Sequence, residues 1–521
     1  MSLLLEIDDN IAEAYKLMEK SKKNVIITGR AGTGKSTLIK YFIENTNKNV
    51  VVLAPTGVAA INIGGQTIHS FFKFGIDVTV DKITKLPKGS ERLYKLIDTI
   101  VIDEISMVRS DIFDCIDKFM RLNGRKKRLP FGGVQMILVG DIYQLPPVVT
   151  KHEEQIFSDL YDSQYFFDSK AFKDSEFEYI ELEEVFRQQD ENFVSILNSI
   201  RNNTVTDAQL RVLNSRVDED FIPSEKDMYV HLTTTRDIAE KINNFELSRI
   251  DGETITLWGD IRGEFDERLL PTDRELHLKI GAQIMLINND AEGRWINGTI
   301  GRILDFEQID DLFAIVAELD NGEVVEITPY TWKLIRYNYD REKKKITTEQ
   351  IGSFTQYPVM LAWAITIHKS QGKTFERVII DLGRGTFAHG QLYVALSRCR
   401  SLDGIVLRKP IEKSHIIMDK RVVEFITQIQ YIQSESRLPQ SEKLKIIKRA
   451  IDEGNELIIT YLKKTDEKSR REVVPLYVGE LDYGGNRFLG LRAIDKSKNL
   501  ERNFKLERIL DIETKDKESR D

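Results

Sequence analysis

Residues 24–45, NVIITGRAGTGKSTLIKYFIEN, constrain this chain more than any other stretch: a short apolar run, a glycine-rich segment, then amphipathic sequence. Gly29-Arg30-Ala31-Gly32-Thr33-Gly34-Lys35-Ser36 fits G-x-x-x-x-G-K-[ST], with the strand before and helix after that such a loop requires. Glycines let successive amides turn toward one point, where they cradle phosphate oxygens. Gly29, Ala31, Gly32, Thr33, Gly34, Lys35, Ser36 and Thr37 are therefore the candidate nucleotide-binding residues. Lys35 reaches the β- and γ-phosphates, and the Ser36 hydroxyl ligates Mg²⁺.

The neighbouring sequence has the matching texture. NVIIT (24–28), NVVVLA (49–54), TIVIDE (99–104) and QMILVG (135–140) are continuous apolar runs of strand length, each followed by polar and then amphipathic sequence. This alternation predicts an α/β fold, a parallel sheet covered on both faces. A second such region is split: DMYVHLTTT (227–235) precedes the helical 237–247, and PVMLAWAITIHKSQG (358–372) and ERVIIDLG (376–383) resume the pattern. Between them, about 270–355, short strands with Asn297-Gly298 and Asn321-Gly322 turn signals predict an inserted β-barrel. A helix over 422–433, a turn-rich linker over 434–442, a helix over 443–453 and several more strands follow.

TIVIDE places Asp103 and Glu104 at a strand end, Asp103 to hold the metal through water and Glu104 to take a proton from the attacking water. Gln144, after the next strand, is a candidate sensor of the γ-phosphate. No run approaches the length of a membrane-spanning helix, and the acidic N-terminus predicts no cleaved export signal. The two cysteines, Cys115 and Cys399, cannot build a disulfide framework or a thiolate metal site, which fits a reducing cytoplasm. A net charge of −8 argues against a surface coated for nucleic acid. It does not exclude a narrow track, because residues 45–76, 350–375 and 382–402 contain no Asp or Glu.

Seven runs occur in order: GRAGTGKST, LAPTGVAAINIGGQTIHSFF, VIDEISMV, PFGGVQMILVGDIYQLPPV, LEEVFRQQD, LAWAITIHKSQGKTF and GQLYVALSRCRSLDGIVL. From about residue 20 to 410 the chain thus resembles the superfamily 1B DNA helicases of the Pif (petite integration frequency) type. The resemblance implies two RecA-like P-loop domains, residues 1–180 with a small wedge at about 73–98, and 181–265 plus 356–412. It implies an SH3-like subdomain inserted at 266–355, then a helix and linker over 413–442. Residues 443–521 resemble a WYL module, an Sm/SH3-like β fold, although Arg487-Phe488-Leu489 stands where Trp-Tyr-Leu would.

The implied activity is ATP- and Mg²⁺-dependent 5′→3′ translocation on single-stranded DNA by a monomer. It would unwind duplex, forked or G-quadruplex DNA in replication, repair and recombination, in the cytoplasm of a prokaryote at the nucleoid, with no membrane association. Arg187 and Arg398 take arginine-finger roles, Gln144 the sensor role, and Gly372 joins the nucleotide-binding set. Pro55, Thr56, Gly57, Thr67, His69, Ser70 and Phe72 correspond to DNA contacts of the first domain. Thr366, His368, Lys369, Ser370 and Gln371 correspond to those of the second. Small hydroxyl side chains and free amides suit a motor that grips phosphates without reading bases. The family's N-terminal glutamine, which reads adenine, has no counterpart between Ile7 and Tyr15.

Alternatives stand beside several of these readings. Phe71, Phe72 and Phe74 are either a stacking surface or core. Trp295 and Asn297 either clamp DNA or pack the barrel. Arg487, Arg492, Arg502 and Arg508 either contact DNA and regulate the motor or form the solvated face of a β-barrel. A DNA-binding regulator using ATP as a switch is the rival to a motor, and Glu104 discriminates because a switch has little need of a positioned base. A P-loop kinase or GTPase lacks support, since no guanine-reading N-K-x-D occurs.

Overall fold

The computed structural model describes residues 9–515 except 31, 76, 150–156, 158, 183–189, 225, 310–311, 341, 343–344, 384, 387, 464–467 and 484. The chain divides into two compact units, the larger formed by residues up to 198 together with 206–417, the smaller by 199–205 together with residues from 418 onward. Among the described residues no helix is long and apolar enough to cross a membrane.

The larger unit begins with six strands: β1 (Asn24–Gly29), β2 (Val50–Ala54), β3 (Gln66–Thr67), β4 (Thr99–Ile102), β5 (Gln135–Val139) and β6 (Phe177–Leu182). They lie in the order β3-β2-β4-β5-β1-β6, and every pairing is parallel. The four apolar runs of the sequence become β1, β2, β4 and β5, whose residues are almost all buried because helices cover both faces. Ile11, Ala14 and Met18 of α1 (Asp9–Lys20) and Leu38, Ile39 and Phe42 of α2 (Lys35–Asn45) pack there against Val25, Ile27, Val101, Ile137 and Val139. Two short helices, α3 (Gly57–Ile63) and α4 (Ile68–Phe72), follow β2 and β3.

A second parallel sheet contains β7 (Val230–Thr233), β8 (Ala364–Thr366), β9 (Val378–Asp381) and β10 (Ile405–Leu407), in the order β8-β7-β9-β10. The apolar run at 358–367 is not one strand. Val359–Leu361 pairs antiparallel with Gln283–Leu286 of the insert, and only Ala364–Thr366 joins the second sheet. The insert is accordingly wider than 266–355. Ile255–Trp258 pairs with Glu275–Leu278, and Asp260–Gly263 joins the long hairpin Tyr330–Asp340/Lys345–Gln356. Its main sheet has five strands, and the Asn321-Gly322 turn joins two of them as the sequence predicts. Trp295 is buried in the insert's core and donates from Nε1 to Asn288 Oδ1 at 2.9 Å, which favours packing over clamping for that ring.

In the smaller unit, α5 (Lys420–Arg437) and α6 (Gln440–Glu453) accompany an antiparallel sheet of β11 (Glu456–Leu462), β12 (Lys468–Tyr483), β13 (Asn486–Asp495), β14 (Leu500–Lys505) and β15 (Ile509–Lys515). The order is β14-β13-β12-β11-β15. The linker expected at 434–442 is not one. Helix α5 runs through Arg437, and only Leu438 and Pro439 interrupt the two helices, because proline disfavours helical backbone at the residue before it. Buried Ser434 donates to Leu510 O at 2.8 Å and accepts from the buried Lys443 ammonium, also at 2.8 Å. Pro475, which has no N–H for the ladder, coincides with a bulge where the β12–β13 register shifts.

Candidate nucleotide and nucleic-acid site

The loop after β1 turns into α2 through Gly34, whose φ of 83° lies in the left-handed region where a side chain would be strained. No side chain caps α2, so its first amides point into the loop. Thr33 is buried and donates from Oγ1 to Arg30 O at 2.9 Å, while Lys35 Nζ donates to the carbonyls of Gly29 and Arg30, both at 2.7 Å. Ser36 and Thr37 are exposed on the first turn of α2. Ala31 lies outside the described residues.

Beyond β4, the Asp103 N–H donates to Leu53 O, and Asp103 Oδ1 accepts from the Glu104 N–H, both at 2.9 Å. Glu104 itself sits at φ 51°, ψ 46°, a conformation that costs a non-glycine residue about 1–3 kcal/mol and clusters at functional sites. Burial, then the neighbouring Asp103 charge, pushes the Glu104 carboxyl up to about 7, while Lys35 and Arg398 pull it down. Asp103 is also raised, again by burial, with Lys35 opposing. Two buried carboxyls and the charges of Lys35 and Arg398 thus come together at the end of the first sheet.

Among the described residues, the loops of the second sheet meet this region around Gln144. Gln144, buried, donates to Asp141 Oδ2 at 3.3 Å and accepts from Gln371 Nε2 at 3.5 Å. The Tyr393 hydroxyl donates to the same Asp141 oxygen at 3.2 Å. Gly390 packs so tightly on the Tyr143–Gln144 backbone that a Cβ there would lie 2.3 Å from the Tyr143 carbonyl oxygen. The motifs contain Asp141, Gly390 and Tyr393, yet nothing in the sequence marks them as a joint.

Arg398 is wholly buried behind that joint. It donates from Nε to Val394 O at 2.9 Å, from Nη1 to Ser370 O and Lys373 O at 3.3 Å each, and from Nη2 to Ser397 Oγ at 2.9 Å. In this conformation it reaches Glu104 through charge rather than a hydrogen bond. Arg187, the other arginine finger read from the sequence, lies outside the described residues.

The residues matched to DNA contacts divide into two kinds. His69, Ser70, His368, Lys369 and Gln371 keep surface, as do Pro55, Thr56, Gly57 and Thr67. Burial holds both His69 and His368 below the ordinary imidazole value, which favours their neutral forms. Thr56 and Thr67 accept from the amides of Ala59 and Ser70, which starts α3 and α4.

Phe72 and Ser370 face inward. Phe72 is only 1% exposed, stacked on Phe74 and Tyr94 and edge-on to Phe71 and Phe119, so its ring is packed as core, the second of the two readings of the sequence. Ser370 is fully buried and donates to Ile367 O, while Thr366, nearly buried, accepts from the Lys369 N–H. These two hydroxyls shape the loop from inside. Gly372 is exposed with φ 75°.

Comparison with known proteins agrees with this layout. The model of the PIF1-like helicase family matches residues 6–211, that of the UvrD-like helicase C-terminal domain 361–403, and that of the WYL domain 442–514. An ATP-dependent DNA helicase Pif1 of Bdellovibrio bacteriovorus is 33% identical over 437 residues, covering 82% of this chain and 93% of the relative. Among solved structures, Bacteroides sp Pif1 in complex with ADP-AlF4 is 39% identical and superposes with a TM-score of 0.74 over 81% of this chain and 96% of that one. Bacteroides Pif1 bound to ssDNA is 40% identical, with a TM-score of 0.57 over 80% and 95%. On similarity of this extent, running through the glycine-rich loop, the carboxylate pair and the joint, the chain belongs to the PIF1-like helicase family and carries a WYL domain C-terminal to its helicase motifs.

Proposed function

We propose that this protein is an ATP-hydrolysing DNA helicase that moves 5′→3′ along single-stranded DNA and unwinds duplex, forked or G-quadruplex DNA as a monomer. The observation that carries this reading is the joint at Gln144, where the sheet holding Lys35, Asp103 and Glu104 bonds to the one holding Gln371 and Tyr393. Hydrolysis at the first sheet then has a mechanical route to the second.

Amides of residues 29–37 and Lys35 bind and orient the phosphates, and Glu104 accepts the proton of the attacking water. Ser36 and Asp103 offer hard oxygen donors of the kind Mg²⁺ prefers when shared with phosphate and water; these two residues would hold it, and it would supply positive charge at the phosphates. Gln144 senses the γ-phosphate, and Arg398, with Arg187, stabilises transition-state charge when the RecA-like domains close. The two domains grip the strand in alternation. The first uses Thr56, Gly57, Thr67, His69 and Ser70, the second His368, Lys369 and Gln371.

The insert, read from its strands as residues 255–361, takes the SH3-like role, and the WYL domain the Sm-like one. Within the latter, Arg508 donates to the carbonyls of Leu462 and Lys463, Arg502 turns toward Asp495 and Arg492 pairs with Glu501 at 3.5 Å, which leaves exposed Arg487 as the DNA contact. Roles in DNA replication, repair and recombination at the nucleoid follow from such a motor.

The test is ATP-dependent strand separation on two duplexes that differ only in the end carrying the single-stranded tail. Unwinding of the 5′-tailed substrate alone is expected. Unwinding of the 3′-tailed one, or ATPase activity without any unwinding, contradicts the reading.

A further inference from the structure

The loop after β8 carries a cation that none of the roles above uses. Lys373 is half-buried, and its Nζ donates to Asn297 Oδ1 of the insert at 2.5 Å. The insert's loop is seated on it: a Cβ on Gly298 would lie 3.1 Å from Lys373 Cβ. That loop is braced from within. The Asn297 N–H donates to Asn289 Oδ1 at 2.8 Å, Arg294 bridges both oxygens of Asp290 at 2.8 and 2.9 Å, and its guanidinium lies 4.7 Å from the centre of the Trp295 ring. Asn297 is therefore a fixed but uncharged acceptor.

An amide is a poor partner for a partly desolvated ammonium, because a charged acceptor makes the stronger bond. The charges around Lys373 do not supply one. On its own loop, Lys369 is exposed and repels it. From the insert, Asp290 and Glu292 are paired with Arg294. Arg398 donates to the Lys373 carbonyl, and Glu376 pairs with Arg400. Residues 350–375 contain no acid at all. Burial, with Lys369 adding to it, lowers the Lys373 ammonium to about 8.

We propose that Lys373 is a DNA-phosphate ligand of this motor: together with Lys369 it holds one backbone phosphate of the single strand, and Asn297 keeps the ammonium in place until that phosphate arrives. The inference rests on residues 366–372 gripping DNA, and deepens that reading by adding a residue the family resemblance does not mark. A phosphate between the two lysines replaces a neutral partner with a charged one and relieves their repulsion. Since the carbonyls of Ser370 and Lys373 hold Arg398, the same phosphate is felt at the nucleotide site.

The experiment is a titration of the full chain with a labelled oligo(dT), followed by anisotropy, in wild type, Lys373→Ala, Lys373→Arg and Lys369→Ala across salt and from pH 7 to 9. Lys373→Ala should weaken binding about tenfold, the worth of one charge-assisted hydrogen bond. It should also flatten the salt dependence by about 0.7 in log–log slope. The phosphate takes the protonated lysine, so wild-type affinity should hold below pH 8 and decline above it, while Lys373→Arg stays level to pH 9. If Lys369→Ala weakens binding and Lys373→Ala does not, the inference is overturned while the grip stands. If neither does, the grip itself is wrong. A weaker Lys373→Ala with an unchanged salt slope and pH profile points to loop packing and also overturns it.

Discussion

The first and second parallel sheets end differently, and the difference describes a division of labour. At the end of the first sheet, Glu104 enters left-handed backbone two residues after β4, its carboxyl raised by burial, and Lys35 Nζ bonds the carbonyls of Gly29 and Arg30 in its own loop. At the end of the second, Arg398 is wholly buried and donates to four acceptors of its own domain, while the Thr366 and Ser370 side chains bond to backbone of their own loop. The first sheet ends in a strained, buried carboxyl beside the lysine of the glycine-rich loop. The second ends in a cation whose donors are already engaged by its own backbone and Ser397. In the proposed motor the rate changes as the ordered half is brought to the reactive half, and the two touch at Gln144, Tyr143 and Gly390.

The largest effect should come from the reactive half alone. Lys35→Ala removes the phosphate cation and is expected to abolish hydrolysis, while the melting temperature changes little because the side chain is only partly buried; steady-state phosphate release with a parallel melt checks both. A hydrolysing Lys35→Ala protein would break the comparison at its first term.

Gly390→Ala addresses the joint. At φ 69° and with Tyr143 O only 2.3 Å from the new Cβ, the substitution forces the halves apart. Nucleotide should still bind to the first sheet, by fluorescence titration, and stimulation of hydrolysis by single-stranded DNA should drop by an order of magnitude or more, roughly 1.4 kcal/mol of lost coupling. Unchanged stimulation would mean that the joint carries nothing.

Phe72→Ala separates core from DNA track. Loss of a buried aromatic costs about 3–5 kcal/mol of stability. The melting temperature should fall, while oligo(dT) affinity per folded molecule stays near wild type. Loss of DNA affinity without loss of stability would restore the stacking reading.

How much of this the sequence discloses depends on burial. Strands β1, β2, β4 and β5 are covered on both faces, so they read as unbroken apolar runs and are recognisable without a fold in hand. Strand β3 has two residues, and edge strand β6, FEYIEL, has its apolar run broken by Glu178 and Glu181, one on each face; neither has a pattern to detect. The run at 358–367 is apolar throughout because it serves two sheets in succession, which composition cannot separate. SESRLPQSE looks like a linker from its polar residues, yet helix α5 continues into it and Ser434 and Lys443 are buried partners, a pairing visible only in three dimensions.

At the site, spacing locates the glycine-rich loop and the carboxylate pair because backbone geometry ties them to strand ends. For the DNA track the resemblance marks positions along the chain but not the direction each side chain faces. Ser70 and Phe72 lie two residues apart on α4, one exposed and the other 1% exposed. Arg398 is marked by its motif, but that it is locked by Ser370, Lys373 and Val394 carbonyls is a fact of packing.

The most direct measurement compares phosphate release by wild type and Arg398→Ala, with and without saturating oligo(dT), after nucleotide binding to both has been verified by titration. The account predicts strong DNA stimulation of the wild type, and an Arg398→Ala protein that binds nucleotide but turns over about 10³-fold or more slower, equally slowly with DNA and without it. An Arg398→Ala protein that keeps its DNA stimulation at near wild-type rates would contradict the claim that the ordered half completes the reactive one.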